Sequence, residues 1–274
     1  MLGGFGDHDG RAATGTSGVE TNLAGTMVGL EMWINPRTLL GSFIGEVHAD
    51  HNFDSIAAKG DTDNLLFGAY GVWRNAAWHT MALLKYGVGE LEVSRNIATP
   101  IATGRTHAEP DLDYFATSLI SGYRVFESAT VHLQPELSFE YVNVTLRHAA
   151  EDGLAPFNLE LRESSNDALT LGLGATAVCN VPLAHRDVLL DLRLTGGKFY
   201  EVLGEAPTAT ASFVNLESAE FTVNGAPPGR DSWRFGLGAI IRLHEHSEMV
   251  VDWRYATGDH TDEHAFRAGF KYAF

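Results

Sequence analysis

Along most of this chain apolar and polar residues take turns, one by one. The last segment shows the pattern clearly: Phe266, Ala268, Phe270, Tyr272 and Phe274 fall on one side of an extended strand, and Arg267, Gly269, Lys271 and Ala273 on the other. A period of two is the signature of a β-strand, because successive side chains point to opposite faces. The pattern predicts strands over 23–34, 39–51, 64–74, 77–94, 113–126, 129–148, 168–181, 187–200, 232–243 and 248–257, then a last strand ending at Phe274. In 232–243 Trp233, Phe235, Leu237, Ala239, Ile241 and Leu243 oppose Ser232, Arg234, Gly236, Gly238, Ile240 and Arg242. Met249, Val251, Trp253 and Tyr255 oppose Asp252 and Arg254; Val188, Leu190, Leu192 and Leu194 oppose Asp191 and Arg193. Leu133, Leu137, Phe139 and Tyr141 oppose His132, Gln134, Glu136 and Glu140.

The connections alternate between short and long. Tight turns such as "NPRT" and "HEHS" follow one strand of each pair, and polar loops rich in Thr, Pro, Asp and Gly follow the next, the longest over 201–230. A strand of about 10 residues tilted near 45° crosses the hydrocarbon core of a bilayer. Up-and-down strands with short turns at one end and long loops at the other predict a transmembrane antiparallel β-barrel. In lipid every backbone N–H and C=O needs a partner, so such a sheet must close on itself. Trp33, Trp73, Trp233, Trp253, Tyr255 and Phe274 lie near strand ends, where an aromatic girdle belongs. A soluble antiparallel sandwich gives the same periodicity with its apolar face turned inward. The alternating connections, the long strands and the glycines on the polar face (Gly236, Gly238, Gly269) favour the barrel.

Composition narrows the function. The 274-residue chain has a formal net charge of −16, which argues against nucleic acid as a partner. It is 45% hydrophobic and 20% charged, unlike a disordered acidic tail. The single cysteine, Cys179, allows no disulfide within the chain. No apolar run is long enough for a transmembrane helix, and "MLGGFGDHDGRAATG" lacks the basic start and apolar core of a secretion signal. Taken alone, that last feature points to the cytoplasm, against the strand pattern.

Chemistry-bearing motifs are sparse. "HADH" (48–51) and "HEH" (244–246) have spacings a metal ion could use, but neither brings a third ligand at a usual interval. "ESS" (163–165) lacks the context of a nucleophile elbow, and "GLGATA" (172–177) lacks the Lys-Ser or Lys-Thr of a phosphate loop. No catalytic residue, cofactor or metal is assigned, and the chain reads as a non-enzyme. The polar strand faces carry the remaining charge. Glu136, Glu140, Asp191 and Asp252 are expected to face a lumen and to pair there with Arg193, Arg234, Arg242, Arg254, Arg267 and Lys271.

Two stretches carry a family resemblance. "FTVNGAPPGRDSWRFGLGAIIRL" (221–243) and "WRYATGDHTDEHAFRAGFKYAF" (253–274) resemble the C-terminal translocator domain of autotransporters, through Phe221, Val223, Gly225, Pro228, Arg230, Asp231 and Ser232 and then Gly258, Asp259, His264 and Phe274. "LLFGAYGVWRNAAWHTMALLKYGVGELEV" (65–93) and the opening "GGFGDHDG" resemble the family too, so the likeness runs along nearly the whole chain. It implies an all-β barrel of about 12 strands in the outer membrane of a Gram-negative bacterium. It further implies a part in exporting an N-terminal passenger, type V secretion, with the bilayer, lipopolysaccharide and the barrel-assembly machinery as partners. Phe270, Tyr272 and Phe274 would then form an assembly signal. The family also has a pore helix and a passenger before the first strand. Residues 1–274 are therefore expected to be the barrel domain of a longer protein, with 1–22 holding a shortened first strand and the first outer loop. An outer-membrane pore or barrel enzyme without a passenger is the alternative.

Overall fold

The structure is a computed structural model that describes residues 2–8, 18–53, 58–182, 188–204, 206–214, 216–225, 229–244, 246–259 and 261–273. The strands are β1 (Leu2–His8), β2 (Val19–Asn35), β3 (Thr38–Phe53), β4 (Ala58–Arg74), β5 (Trp78–Ala98), β6 (Thr103–Ala108), β7 (Asp111–Tyr123), β8 (Phe126–Glu127) and β9 (Val131–Leu146). They continue with β10 (Ala149–Ala150), β11 (Leu159–Leu161), β12 (Ser164–Pro182), β13 (Leu189–Gly204), β14 (Thr208–Phe213), β15 (Leu216–Asn224), β16 (Asp231–His244), β17 (Ser247–Gly258) and β18 (Thr261–Tyr272).

Twelve of them form a ring. The order runs β1-β2-β3-β4-β5-β7-β9-β12-β13-β16-β17-β18, every neighbour antiparallel, and β18 pairs back onto β1. Every strand of the ring has an antiparallel neighbour on both sides, the arrangement a sheet needs in lipid. The first strand is the short one. Leu2 pairs with Gly25 and with Arg267, so the stretches Thr26–Asn35 of β2 and Ala268–Tyr272 of β18 extend past it.

Burial is inverted relative to a soluble sandwich. Val28, Leu30 and Met32 on β2 are 70%, 74% and 63% exposed, and Trp233, Phe235 and Phe270 are exposed as well. The few buried apolar side chains among the described residues are mostly small, such as Ala108, Ala116 and Ala211. An apolar exterior over a thin interior is what a bilayer accepts and water does not. Aromatics gather near both ends of the strands, with Trp78 against Tyr123 (centroids 4.9 Å apart) by the short turns and Trp233 beside Phe235 (6.5 Å) toward the long loops.

The strands run further than periodicity predicted, and the long loops are not plain loops. β4 starts at Ala58 rather than residue 64, and β5 runs to Ala98 rather than 94. The extensions lie beyond the apolar band, where both faces carry polar residues and alternation disappears. Above the ring, β10, β11, β14 and β15 form a second, four-stranded sheet, and β6 extends from β5. A backbone bridge between His107 and Asp152 (3.1 and 2.9 Å) ties β6 to this cap. Thr106 and Ser212 are fully buried there. Glu151 receives both arms of Arg95, Nε at 2.8 Å and Nη2 at 2.6 Å, and also accepts the Leu159 N–H at 2.8 Å.

Candidate functional site

The inner face of the ring is identified by contacts that skip strands. On a closed curved sheet only the concave side lets side chains from non-adjacent strands meet. Arg234 on β16 donates to Glu140 on β9 at 2.6 Å, across β12 and β13, and its guanidinium lies 4.0 Å from the Phe199 ring centre. Lys271 on β18 reaches Glu31 on β2, across β1. Glu31 also accepts the Tyr70 hydroxyl of β4, across β3, at 2.7 Å. His79 on β5 sits 3.4 Å from Glu136 on β9, across β7; Glu136 further accepts Gln134 at 2.8 Å and Thr176 at 3.0 Å.

Register explains the other pairs. Asp252 and Arg267 are direct cross-strand partners, so the guanidinium meets the carboxylate at 2.6 Å. Arg254 stands one step along, with its Nε 3.7 Å from Asp252. Asp191 is held by Asn180, its register partner, at 2.5 Å, and by Arg242 at 2.6 Å; Arg242 also reaches Glu248 at 3.3 Å. Arg193 differs from the sequence-based expectation. It is exposed and has no ion pair among the described residues. Its β16 partner is Gly238, which separates it from Asp252.

The lumen has two unlike walls. From β9 round to β18 the face that holds the strand-skipping contacts carries these charges and their partners. On β2 and β3 the residues sharing the face of Glu31 and Gly41 are Gly25, Met27, Gly29, Phe43, Gly45 and Val47, small or apolar. Aromatic rings occupy the space that glycines open: a Cβ at Gly41 would lie 2.2 Å from the Tyr70 ring, and one at Gly68 2.2 Å from the Phe43 ring. Glu31 and Tyr70 were missed from the sequence. The available signal was Glu31 itself, a lone carboxylate in the apolar run "LAGTMVGLEMWI".

Outside the lumen, Phe270 and Tyr272 are exposed on the face opposite Lys271, while Phe274 lies outside the described residues. The "GLGATA" stretch sits inside β12, in a strand and not a loop. The two histidines of "HADH" point apart: His51 bonds Thr21 (3.0 Å) and Thr62 (2.9 Å), and His48 bonds Asp63 (2.8 Å). Of "HEH", Glu245 lies outside the described residues.

The autotransporter beta-domain family matches residues 1–254. Comparison of the sequence with curated proteins returned no match. The fold is similar to the translocator domain of autotransporter NalP from Neisseria meningitidis, at 18% identity and a TM-score of 0.75 over 100% of this chain and 86% of that one. It is also similar to the transport unit of the autotransporter AIDA-I from Escherichia coli (14%, TM-score 0.75, 100% and 88%) and to the beta domain of the Bordetella autotransporter BrkA (18%, 0.69, 100% and 98%). The closed ring, its lipid-compatible exterior and the family match converge: this chain belongs to the autotransporter β-domain family, barrels of the Gram-negative outer membrane that take part in exporting a passenger domain.

Proposed function

We propose that this barrel carries a passenger joined covalently upstream of β1 and that the segment linking the two lies in the lumen, against the glycine-rich wall of β2 and β3. The observation that supports this most is the asymmetry of the lumen. One wall is charged and largely self-paired; the other is small and apolar, suited to a packed polypeptide. Twelve strands also fall between barrels of about 8 strands, which side chains fill, and those of 16–18, which hold an aqueous channel. Glu136, Glu140, Asp191, Arg193, Arg234, Asp252, Arg254, Arg267 and Lys271 then act as lumen lining. Their carboxylates are engaged in ion pairs and hydrogen bonds, which suits a conduit better than acid–base catalysis. Exposed Phe270 and Tyr272, with Phe274, serve as the strand read by the barrel-assembly machinery, and the apolar exterior meets lipid and lipopolysaccharide.

The test is a fusion of a secretion signal and an epitope-tagged reporter to the start of β1, expressed in a Gram-negative host. The tag is expected on the cell surface, open to added protease, with the barrel running as a heat-modifiable band. A folded, heat-modifiable barrel whose tag stays in the periplasm overturns the passenger reading and favours a pore without one.

A further inference from the structure

We propose that His48, Asp50 and Asp61 form a binding site for a divalent transition-metal ion of zinc type, on the outer surface of the barrel wall beyond the apolar band. The sequence offered His48 and Asp50 but no third ligand. The third comes from the neighbouring strand, because β3 and β4 pair with Asp50 directly opposite Asp61. One ligand atom from each of the three residues lies within 4.8 Å of the others.

Three observations make this more than a patch of acid. First, the set contains an imidazole, and its other nitrogen is already anchored: His48 Nδ1 meets Asp63 Oδ1 at 2.8 Å. A carboxylate behind a metal-binding histidine fixes the ring and raises its basicity. It leaves Nε2 for an ion, and Nε2 faces Asp50 Oδ1 at 3.4 Å. That separation is long for a charge-assisted hydrogen bond and short enough for both atoms to hold one cation. Second, Asp50 and Asp61 are like charges on opposed register positions, an arrangement that costs stability without a cation between them. Third, access is open: His48 and Asp50 side chains are about half exposed, at 51% and 56%. They share the outward face of Leu40 and Ile44 but stand past Glu46, where the apolar band has ended. One imidazole and two carboxylates suit zinc or its neighbours better than calcium, and leave a position for water or an anion. The bound ion links β3 to β4 through side chains.

The experiment uses the full folded chain in detergent, freed of metal with a chelator and checked for its heat-modifiable band. Zn2+ binding is read by calorimetry, and Co2+ by its visible absorption. One saturable equivalent is expected. D63N should weaken binding about tenfold, the loss typical of an outer-shell partner, and H48A, D50N and D61N should each weaken it more. His51→Ala is the control: its ring points to the other face, so binding persists. Zn2+ should also raise the temperature at which the wild-type band converts, and not that of D61N. Absence of saturable binding, binding unchanged in D61N, or equal loss in His51→Ala overturns the site. Because the cluster lies outside the lumen, either result leaves the passenger reading untouched.

Discussion

At the scale of single residues, the lumen is organised by what glycines leave room for. Tyr70 reaches Glu31 only because position 41 has no side chain; a Cβ there would sit 2.2 Å from the ring. Gly41→Ala is therefore expected to push the ring aside and break the Tyr70–Glu31 bond, costing about 1–3 kcal/mol by overpacking. Gly269 is the contrast. Nothing lies within 4 Å of a Cβ added there, so Gly269→Ala should be neutral. Thermal conversion of the folded band on a detergent gel separates the two; equal shifts would show that the ring does not depend on the glycine. In the sequence Arg234, Asp252 and Lys271 sit on the polar side of clear alternations. The sequence did not show their partners. Arg234 and Glu140 are brought together by the curvature of the ring, not by proximity in sequence, and Asp61 enters the cluster of His48 only through strand register.

At the scale of elements, the membrane strands were legible and the cap was not. Alternation exists where one face meets lipid and the other a wet lumen. Beyond the bilayer both faces are polar, so the short strands β6, β10, β11, β14 and β15 leave no periodic trace. Their order rests on specific contacts. The Glu151 side chain is 7% exposed and its partner Arg95 33% exposed, so breaking the pair strands a largely buried charge. With the arginine side partly screened, Arg95→Ala should cost about 2 kcal/mol locally. The expected readout is faster protease nicking near residues 149–161 with the thermal conversion of the barrel unchanged. A shift of that conversion instead would mean that cap and barrel melt as one unit. His107 adds a pH signature. Its hydrogen bond to Glu109, 2.8 Å away, holds the imidazole above its ordinary value, with Glu92 and Asp152 adding smaller contributions. A raised folded value means the contact contributes fully below the ordinary histidine range and fades as pH rises through that higher value. The NMR titration midpoint of His107 should fall in Glu109→Gln; an unmoved midpoint would assign the shift to another source.

At the scale of the whole molecule, one lumen contact spans the closure of the ring. β1 pairs with β18 on one side and with β2 on the other. Across β1 the lumen supplies a side-chain clasp: Lys271 from β18 meets Glu31 of β2, and Glu31 is held in turn by Tyr70 of β4. The clasp joins the last strand to the first long one by a route independent of backbone pairing. It is partly exposed, Lys271 at 41% and Glu31 at 23%, so its contribution is about 1 kcal/mol rather than that of a buried pair. Its position gives it leverage, because opening at one seam uncouples a closed sheet whose stability is otherwise shared around the circuit. Lys271→Ala and Glu31→Gln should each lower the conversion temperature of the folded band by a similar amount, and the double variant by little more than either alone. Arg254→Ala, which removes a longer contact of 3.7 Å away from the seam, should shift it less. Additive losses in the double variant would show that the two side chains act separately, and that the seam is held by the β1 ladders alone.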